Sequence, residues 1–169
     1  SYCWDYENMQ IIQSKDMFNL SLETVLLADF GTSKKCIDEI IEVGTNNAAI
    51  PLLLSLRTDK KIKRIEIQKE AVDLALKNVQ LNHLENQIEI IHSDIKDYVK
   101  NASKVKLVVC NPPFFRVDER SNLNDNEFLK IARHEIKINL EEIIQSAARI
   151  LDNKGRFAMV HRPDRMIEI

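Results

Sequence analysis

Residues 37–48 read IDEIIEVGTNNA, an apolar stretch that runs into an acidic residue, a glycine and a polar turn. The part 37–43 is rich in isoleucine and valine and too short for a stable helix, which predicts a buried β-strand. Gly44 lets the backbone approach a ligand closely, and Asn46 tolerates the left-handed conformation better than most residues. Because a helix is predicted over 48–58, its first N–H groups would point at a ligand in this turn. An ordinary strand-to-helix turn with an asparagine cap is the alternative.

The rest of the chain repeats this unit of strand and helix. Short stretches rich in isoleucine and valine predict further strands, at 62–67, 87–92, 105–110 and 156–161. Apolar residues at helical spacing predict further helices, at 21–30, 69–82, 94–100 and 140–151. In these helices Val72, Leu76 and Val79 share one face, and Asn139 is a candidate cap for the last helix. Strands that alternate with helices imply right-handed crossovers, so the predicted fold class is α/β, with a mostly parallel sheet and helices on both faces.

Composition narrows the class of protein. With 169 residues, of which 44% are hydrophobic and 30% charged, the chain is predicted to form one globular domain. The net charge of −2 argues against a protein that coats nucleic acid, but it leaves room for a local basic rim. There is no apolar run of transmembrane length and no signal peptide, so we expect no membrane partner and a cytoplasmic location. Cys3, Cys36 and Cys110 lack metal-ligand spacing and the histidines are dispersed, which predicts reduced thiols and no metal site.

Acidic residues stand at the carboxyl ends of the first three predicted strands, where open α/β sheets bind their ligands. These residues are Glu42, Glu66 and Asp94. The carboxylate of Glu66 suits the two hydroxyl donors of a ribose, and that of Asp94 can accept a hydrogen bond from an adenine amine. Taken singly, Glu66 could be a solvent-facing residue of an edge strand, and Asp94 could cap the helix that starts near Ile95. Together the three acids predict a site for a cofactor that contains adenosine.

The fourth strand runs into Asn111-Pro112-Pro113-Phe114, the most specific motif in the chain. The side-chain carbonyl of Asn111 and the main-chain carbonyl of Pro112 can accept the two hydrogens of an amine conjugated to an aromatic base. That would hold the nitrogen towards a methyl donor, so that proximity and in-line orientation carry most of the rate effect. The two prolines make the loop rigid, and Phe114 can stack on the base. The alternative is a rigid turn that only ends the strand.

Two further runs, Ala132-Arg133-His134-Glu135 and His161-Arg162-Pro163, narrow the chain to one family when they are combined with the Asn-Pro-Pro-aromatic motif. The chain resembles class I S-adenosylmethionine-dependent methyltransferases of the "small domain" N6-adenine type. Among them it is most similar to the bacterial family that methylates N6 of adenosine 37 in the tRNA for valine. The resemblance covers nearly the whole chain. It implies a Rossmann-like sheet of seven strands, S-adenosylmethionine as the cofactor, and the anticodon loop of tRNA as the partner.

The resemblance also implies roles for individual residues. Glu42 and Gly44 would line the methionine end of the cofactor, Glu66 would bind its ribose, and Asp94 its adenine. The predicted cofactor set is Glu42, Gly44, Asn46, Glu66, Ile67, Asp94, Ile95 and Asn111, and the predicted catalytic set is Asn111, Pro112, Pro113 and Phe114. Asn46 and Ala48 replace two glycines of the family's first turn. The family continues past residue 169 with two more strands, so residues 1–169 are expected to be a single domain that lacks the last strands.

Alternatives remain for the loop and for the substrate. Residues 116–127 are polar and are predicted to form a mobile substrate loop at the mouth of the site, or else a disordered loop without a role. Candidate phosphate contacts are Arg116, Arg120, Arg133, Arg162 and Arg165. The expected reaction is methylation of a tRNA adenine, and other targets for the same motif are an adenine or guanine amine in rRNA or DNA and a protein glutamine. A degenerate domain that binds the cofactor or RNA without catalysis is the alternative outside enzymes.

Overall fold

The computed structural model describes residues 2–6, 9–14, 38–44, 50–55, 58–110 and 123–160. The strands in these ranges are β1 (Tyr2–Tyr6), β2 (Met9–Ser14), β3 (Glu39–Val43), β4 (Lys61–Glu66), β5 (Ile88–His92), β6 (Val105–Cys110) and β7 (Leu151–Val160). The helices there are α1 (Ile50–Ser55), α2 (Lys69–Leu81), α3 (Ile95–Tyr98) and α4 (Leu123–Ile150). The strands form one sheet in the order β1-β2-β7-β6-β3-β4-β5.

Strands β3 to β7 are the ones that the sequence predicts, and every neighbouring pair among them is parallel. A helix lies in the connection between each of these strands and the next along the chain. Such crossovers bring the carboxyl ends of the parallel strands to one edge of the sheet. The predicted α/β class with a mostly parallel sheet is therefore confirmed.

The sequence pattern does not predict β1 and β2. These strands pair with each other in antiparallel fashion, and β2 runs parallel to β7, with Ile11 beside Phe157. The pairing partner of β2 lies near the other end of the chain, and the stability of an edge strand depends on its cross-strand neighbours more than on its own residues. Local pattern therefore carries little information about this hairpin.

Both faces of the sheet are covered by apolar side chains. On one face Ile41 of β3 packs in a core with Ile143 of α4. On the other face Ile40 packs with Leu54 of α1 and Val79 of α2. Burial on both sides explains why the parallel strands are nearly continuous apolar runs, and it confirms the prediction of helices on both faces.

Helix α2 confirms the helix predicted over 69–82 but not the whole of its predicted face. Val72 and Val79 are buried as predicted, whereas Leu76 is 40% exposed. Ala75 takes its place in the interior. The buried residues are thus three and four positions apart, which is the spacing of a core-facing stripe on a helix.

Helix α4 corrects several predictions. It begins at Leu123 rather than near residue 140, so Asn139 lies inside the helix and does not cap it. Residues 123–127 are helical and are not part of the predicted substrate loop, and Leu151 begins β7 rather than ending the helix. The first half of α4 is largely exposed. It therefore has no buried apolar stripe from which a helix would be predicted.

Some predictions fall outside the described residues. These concern the helix over 21–30, the turn residues Asn46 and Ala48, the motif Asn111-Pro112-Pro113-Phe114, loop residues 116–122, Arg162 and Arg165. Of the candidate phosphate contacts, Arg133 is described and is exposed on α4. In the described part of the chain, no helix combines the length and the apolar character that a bilayer crossing needs.

Candidate functional site

A cavity of about 250 Å³ opens at the carboxyl ends of β3, β4 and β5. Four residues of the predicted cofactor set line it, and these are Gly44, Ile67, Asp94 and Ile95. It is also lined by residues that the sequence analysis gave no part in the site, namely Gln68, Ser93, Lys96, Asn139, Glu142 and Ile143. The structure thus brings the ends of three predicted strands together and closes the cavity with one side of α4.

A larger cavity, of about 1200 Å³, lies towards the opposite edge of the same sheet. Its walls mix acidic and basic side chains, among them Glu39, Lys63, Asp97 and Lys104. Open α/β sheets bind their ligands beyond the carboxyl ends of the strands. The smaller cavity is therefore the candidate site.

Backbone hydrogen bonds tie the three strand ends to one another. The amide of Gly44 donates to the carbonyl of Ile65 over 2.9 Å, and the amide of Ser93 donates to the carbonyl of Glu66 over 2.9 Å. The ring Nε2 of His92 lies 2.9 Å from the carbonyl oxygen of Ile67, which accepts its hydrogen. The segments that line the cavity are thus held in fixed relative positions.

Two predicted acids, Glu42 and Glu66, do not line this cavity. Their side chains leave the opposite face of the sheet from Val43 and Ile65, which do line it, and they share one buried cation. Glu42 and Glu66 are 0% and 1% exposed, so the alternative of a solvent-facing Glu66 is wrong. Arg64, on the strand that ends in Glu66, is also fully buried. Its Nη1 donates to Oε2 of Glu42 over 3.0 Å, and its Nη2 lies 3.7 Å from Oε2 of Glu66. A guanidinium with its donors in a rigid fork is suited to linking two carboxylates in this way.

Each carboxylate keeps an acceptor that the described residues do not satisfy. Oε1 of Glu42 and Oε2 of Glu66 are buried and have no hydrogen-bond partner within the described part of the chain. Burying an acceptor without a partner costs about 1–3 kcal/mol, so such atoms are rare outside functional sites. Two unsatisfied acceptors at the ends of neighbouring strands fit a ligand that brings hydroxyl or amine donors.

Position 44 requires glycine because side-chain atoms of other residues come close to its backbone, and not because of its conformational freedom. A Cβ at this position would lie 2.1 Å from Oε2 of Glu66 and 2.8 Å from Nε and Nη2 of Arg64. Both distances are well below van der Waals contact. The absence of a side chain at Gly44 therefore makes room for these two charged groups, whereas the close approach of a ligand to this residue stays a prediction.

Burial dominates the electrostatics of the acids. It raises the pKa of Glu42 from 4.5 to about 7, with Arg64 opposing the rise and Glu66 adding to it. It raises the pKa of Glu66 too, against the opposing effects of Arg64 and of a hydrogen bond from the backbone of Gln68. Burial likewise raises the pKa of the Cys110 thiol well above its usual range. Glu42 therefore changes its charge near neutral pH.

Asp94 serves as a helix cap at the edge of the cavity. Its Oδ1 accepts a hydrogen bond of 2.9 Å from the amide of Lys96 at the start of α3. The ammonium of Lys96 lies 3.9 Å from Oδ2 of Asp94 and 3.6 Å from Glu142 of α4. The capping role considered from the sequence is thus confirmed, while contact with an adenine stays a prediction.

Strand β6 ends at the same edge of the sheet. Its last residue, Cys110, is fully buried and lies beside Val43 of β3. Asn111 follows Cys110 directly in the chain, although the motif itself lies outside the described residues. The chain therefore enters the Asn-Pro-Pro-Phe segment next to the strand end that carries Gly44.

The sequence model of the methyltransferase small domain matches residues 23–168. This chain belongs to the methyltransferase small domain family. The cofactor of this family is S-adenosylmethionine. Among the residues that the structure describes, no three His, Cys, Asp or Glu side chains are grouped so as to hold a metal ion.

Two curated relatives carry the same name. The chain is similar to the tRNA1(Val) (adenine(37)-N6)-methyltransferase of Flavobacteriaceae bacterium strain 3519-10, with 28% identity over 92% of this chain and 64% of the relative. It is also similar to the enzyme of that name from Haemophilus influenzae strain PittGG, with 27% identity over 92% of this chain and 66% of the relative. The chain thus spans slightly less than two thirds of the length of these relatives.

A solved structure supports the fold. A SAM-dependent methyltransferase from Agrobacterium tumefaciens superposes with a TM-score of 0.51 and 15% identity, covering 91% of this chain and 50% of that one. At this identity the likeness shows the fold of a class I methyltransferase and nothing about the substrate.

Arg64 is the main site residue that the sequence analysis missed. It lies in the stretch Lys61–Glu66, where four of the six residues are charged, so its side chain would ordinarily be expected to face solvent. A signal was present in the pairing of the strands, because the register puts Arg64 directly beside Glu42. An arginine next to an acid on two central strands indicates a buried ion pair.

Proposed function

We propose that this protein transfers a methyl group from S-adenosylmethionine to the N6 amine of an adenine in tRNA, at position 37 of the anticodon loop. The observation that carries the proposal is the cavity at the carboxyl ends of β3, β4 and β5, which is lined by Gly44, Asp94 and Ile95. At the ends of β3 and β4, next to Gly44, two buried carboxylates each keep one oxygen without a hydrogen-bond partner among the described residues. The Asn-Pro-Pro-Phe motif begins one strand away. The proposal takes residues 1–169 as one domain of a cytoplasmic enzyme.

The residues at the carboxyl ends of β3, β4 and β5 fit this cofactor. Oε2 of Glu66 can accept from a ribose hydroxyl, and Oε1 of Glu42 can accept from the amino group at the methionine end. Gly44 and Asp94 both line the cavity, and an adenine amine bound there could reach the carboxylate of Asp94. The apolar side chains of Ile67 and Ile95 offer surfaces for the adenine ring. Bound there, the cofactor supplies an electrophilic methyl group on a sulfonium.

The motif supplies the other half of the chemistry. Carbonyl oxygens of Asn111 and Pro112 would accept the hydrogens of the target amine and orient its nitrogen, while Phe114 would stack on the base. An aromatic amine held in this way needs no strong general base, because its proton can leave to water after transfer. The target base must leave its stack to be gripped, which favours a loop over an intact duplex.

The choice of tRNA as substrate depends on the names of the relatives and on the family resemblance. Both relatives described above are named as tRNA enzymes. The small net charge of −2 agrees with a protein that contacts one loop rather than a long duplex. Arg133 on the exposed side of α4 is a candidate for contact with the tRNA backbone.

The test is mass spectrometry of modified nucleosides in tRNA from cells that have or lack the full-length gene. We expect N6-methyladenosine in tRNA to disappear without the gene, to return with the wild type and not to return with Asn111→Ala. The purified Asn111→Ala variant should be slower by about 10²-fold or more, because misplacing the nucleophile has costs of that order. Asn101→Ala, which changes an exposed asparagine by the amino-terminal edge of β6, is the matched control.

Three outcomes would contradict the proposal. Methyl label that enters rRNA, DNA or protein instead of tRNA would move the substrate to that class. Full activity of Asn111→Ala would remove the catalytic assignment. Failure of the wild type to bind S-adenosylhomocysteine would favour the degenerate domain, in which Asn46 and Ala48 no longer support cofactor binding.

A further inference from the structure

Arg64 is a buried cation that the reaction itself does not call for. It is fully buried in β4, one of the central strands, where an apolar side chain would avoid the cost of desolvating a charge. A buried ionic group of this kind often fixes one arrangement among several rather than adding stability. The question is which arrangement Arg64 fixes.

The geometry indicates that Arg64 fixes the arrangement of two carboxylates, those of Glu42 and Glu66. Arg64 lies beside Glu42 across the β3–β4 pair and two residues before Glu66 on its own strand, so all three side chains leave the same face of the sheet. One terminal nitrogen of the guanidinium bonds to Glu42 at 3.0 Å, and the other lies 3.7 Å from Glu66. Each acid contributes only Oε2 to these contacts, which leaves Oε1 of Glu42 free of any described partner.

We propose that Arg64 is a positioning residue for the cofactor, which holds the carboxylates of Glu42 and Glu66 side by side so that both can accept donors from one ligand. This inference rests on the proposed function, because the ligand it invokes is S-adenosylmethionine. Arg64 touches no reacting atom. It acts through the two acids, and a single guanidinium couples the methionine end of the site to the ribose end.

A second ion pair on the same two strands, between Lys63 and Glu39, shows what a purely structural ion pair looks like. Lys63 contacts Glu39 at 2.9 Å, near the amino-terminal edge of the sheet, and both side chains are about one-third exposed at 32% and 30%. That pair joins β3 to β4 just as Arg64 and Glu42 do, but it is far from the cavity. A purely structural role for Arg64 would resemble that of Lys63, whereas a positioning role requires an effect on the ligand.

The charge of Arg64 also controls the ionisation of Glu42. The described titratable groups that face Glu42 are Arg64 and Glu66 from β4, and the neighbouring residue of β6 is the apolar Val109. Only Arg64 among them lowers the pKa of Glu42, which stands at about 7. Without Arg64 the pKa of Glu42 rises, so Glu42 would be protonated at neutral pH. It would then offer no carboxylate charge to the ammonium group of the cofactor.

The experiment is titration of the full-length protein with S-adenosylhomocysteine between pH 6 and 9, for the wild type, Arg64→Met, Arg64→Lys and the control Lys63→Met. For the wild type we expect affinity to fall as the pH drops through about 7. In Arg64→Met the midpoint should move up by about 1–3 pH units, the size of effect that an adjacent opposite charge exerts. At pH 7 the ionised fraction of Glu42 then falls from about a half to less than about a tenth, so affinity should weaken about 5-fold or more.

The conservative variant separates charge from geometry. Arg64→Lys keeps the cation but cannot reach both acids through separate nitrogens, so we expect a midpoint close to that of the wild type together with weaker binding. Lys63→Met should match the wild type in both respects. If Arg64→Met does not fold, Arg64→Lys decides, since unchanged affinity in that variant would refute the bridging role.

The outcomes also separate this inference from the proposed function. A wild type that binds S-adenosylhomocysteine, together with an Arg64→Met variant of equal affinity and pH profile, overturns the role of Arg64 alone. A wild type that shows no binding at any pH overturns the proposed function and this inference with it.

Discussion

Replacing Gly44 by alanine tests the central feature of the site, the packing of two charged groups against a residue without a side chain. The added methyl group would lie 2.1 Å from Oε2 of Glu66 and 2.8 Å from two nitrogens of Arg64. All of these atoms belong to buried side chains, so they cannot move into solvent. Either the acid and the arginine are displaced or the β3–α1 turn moves.

The structure gives the size of the effect. Carbon and oxygen normally meet at more than 3 Å, so the overlap with Glu66 is on the order of 1 Å. Inserting a methyl group into a packed interior costs about 1–3 kcal/mol. Displacing Oε2 of Glu66 also moves the acceptor proposed for the ribose, and we expect the cofactor to bind about 10-fold or more weakly, which is about 1.4 kcal/mol.

Two measurements on each variant separate folding from binding. Urea denaturation gives the free energy of unfolding, and calorimetric titration with S-adenosylhomocysteine gives the affinity. Gly155→Ala is the matched control, because its Cβ would lie 2.9 Å from the side chain of Leu151 in β7, away from the cavity. We expect Gly155→Ala to lose stability while the affinity of the folded protein stays unchanged.

One result would refute the reasoning. If Gly44→Ala binds S-adenosylhomocysteine as tightly as the wild type and unfolds at the same urea concentration, the approach of Glu66 and Arg64 to this backbone does not matter in solution. Equal losses of affinity in Gly44→Ala and Gly155→Ala would show that general destabilisation, rather than the site, is responsible.

Three further predictions concern the described residues. Glu42 has a pKa of about 7 in the folded protein and an ordinary value of 4.5, so its ionisation opposes folding. Relative to Glu42→Gln, the wild type should lose on the order of 3 kcal/mol of unfolding free energy as the pH rises from about 4.5 to above 7. Parallel pH profiles of unfolding free energy for the two proteins would contradict this. Asp94→Ala should cost about 1 kcal/mol of stability by loss of the α3 cap and should weaken cofactor binding, whereas Asp94→Asn should keep the cap and lose only affinity. Urea denaturation measures the stability, and titration with S-adenosylhomocysteine measures the affinity. Unchanged affinity in both variants would remove Asp94 from the adenine site. His83 has a φ of 55° after α2, so His83→Gly should raise the free energy of unfolding by about 0.5–1 kcal/mol in urea denaturation, and a lower value would show that its side chain compensates for the strain.

The elements of the parallel sheet could be predicted because their signals are local. Strands buried on both faces are continuous runs of isoleucine and valine, as in β3 and β6, and the helix over Lys69–Leu81 has apolar residues at regular helical spacing. The carboxyl ends of such strands meet at one edge, so the acids at the ends of β3 to β5 could be expected together before any coordinates were known.

Elements without a local signal were missed. Strands β1 and β2 depend on pairing with each other and with β7, and the first half of α4 has few buried side chains to mark it as a helix. Asn139 directly precedes the buried stripe and therefore resembles a cap in the sequence, whereas in the structure it lines the cavity from within the helix.

The sequence alone determined the α/β class, the family and the positions of Glu42, Gly44, Glu66 and Asp94 at strand ends. These follow from local periodicity, from motif residues and from the direction of a parallel sheet. Only the tertiary structure decided that Glu42 and Glu66 are buried, that Arg64 stands between them and that Gly44 makes room for both. The physical reason is that ion pairs and desolvation depend on the register between β3 and β4 and on what covers their shared face, and neither is written in the order of the residues along either strand.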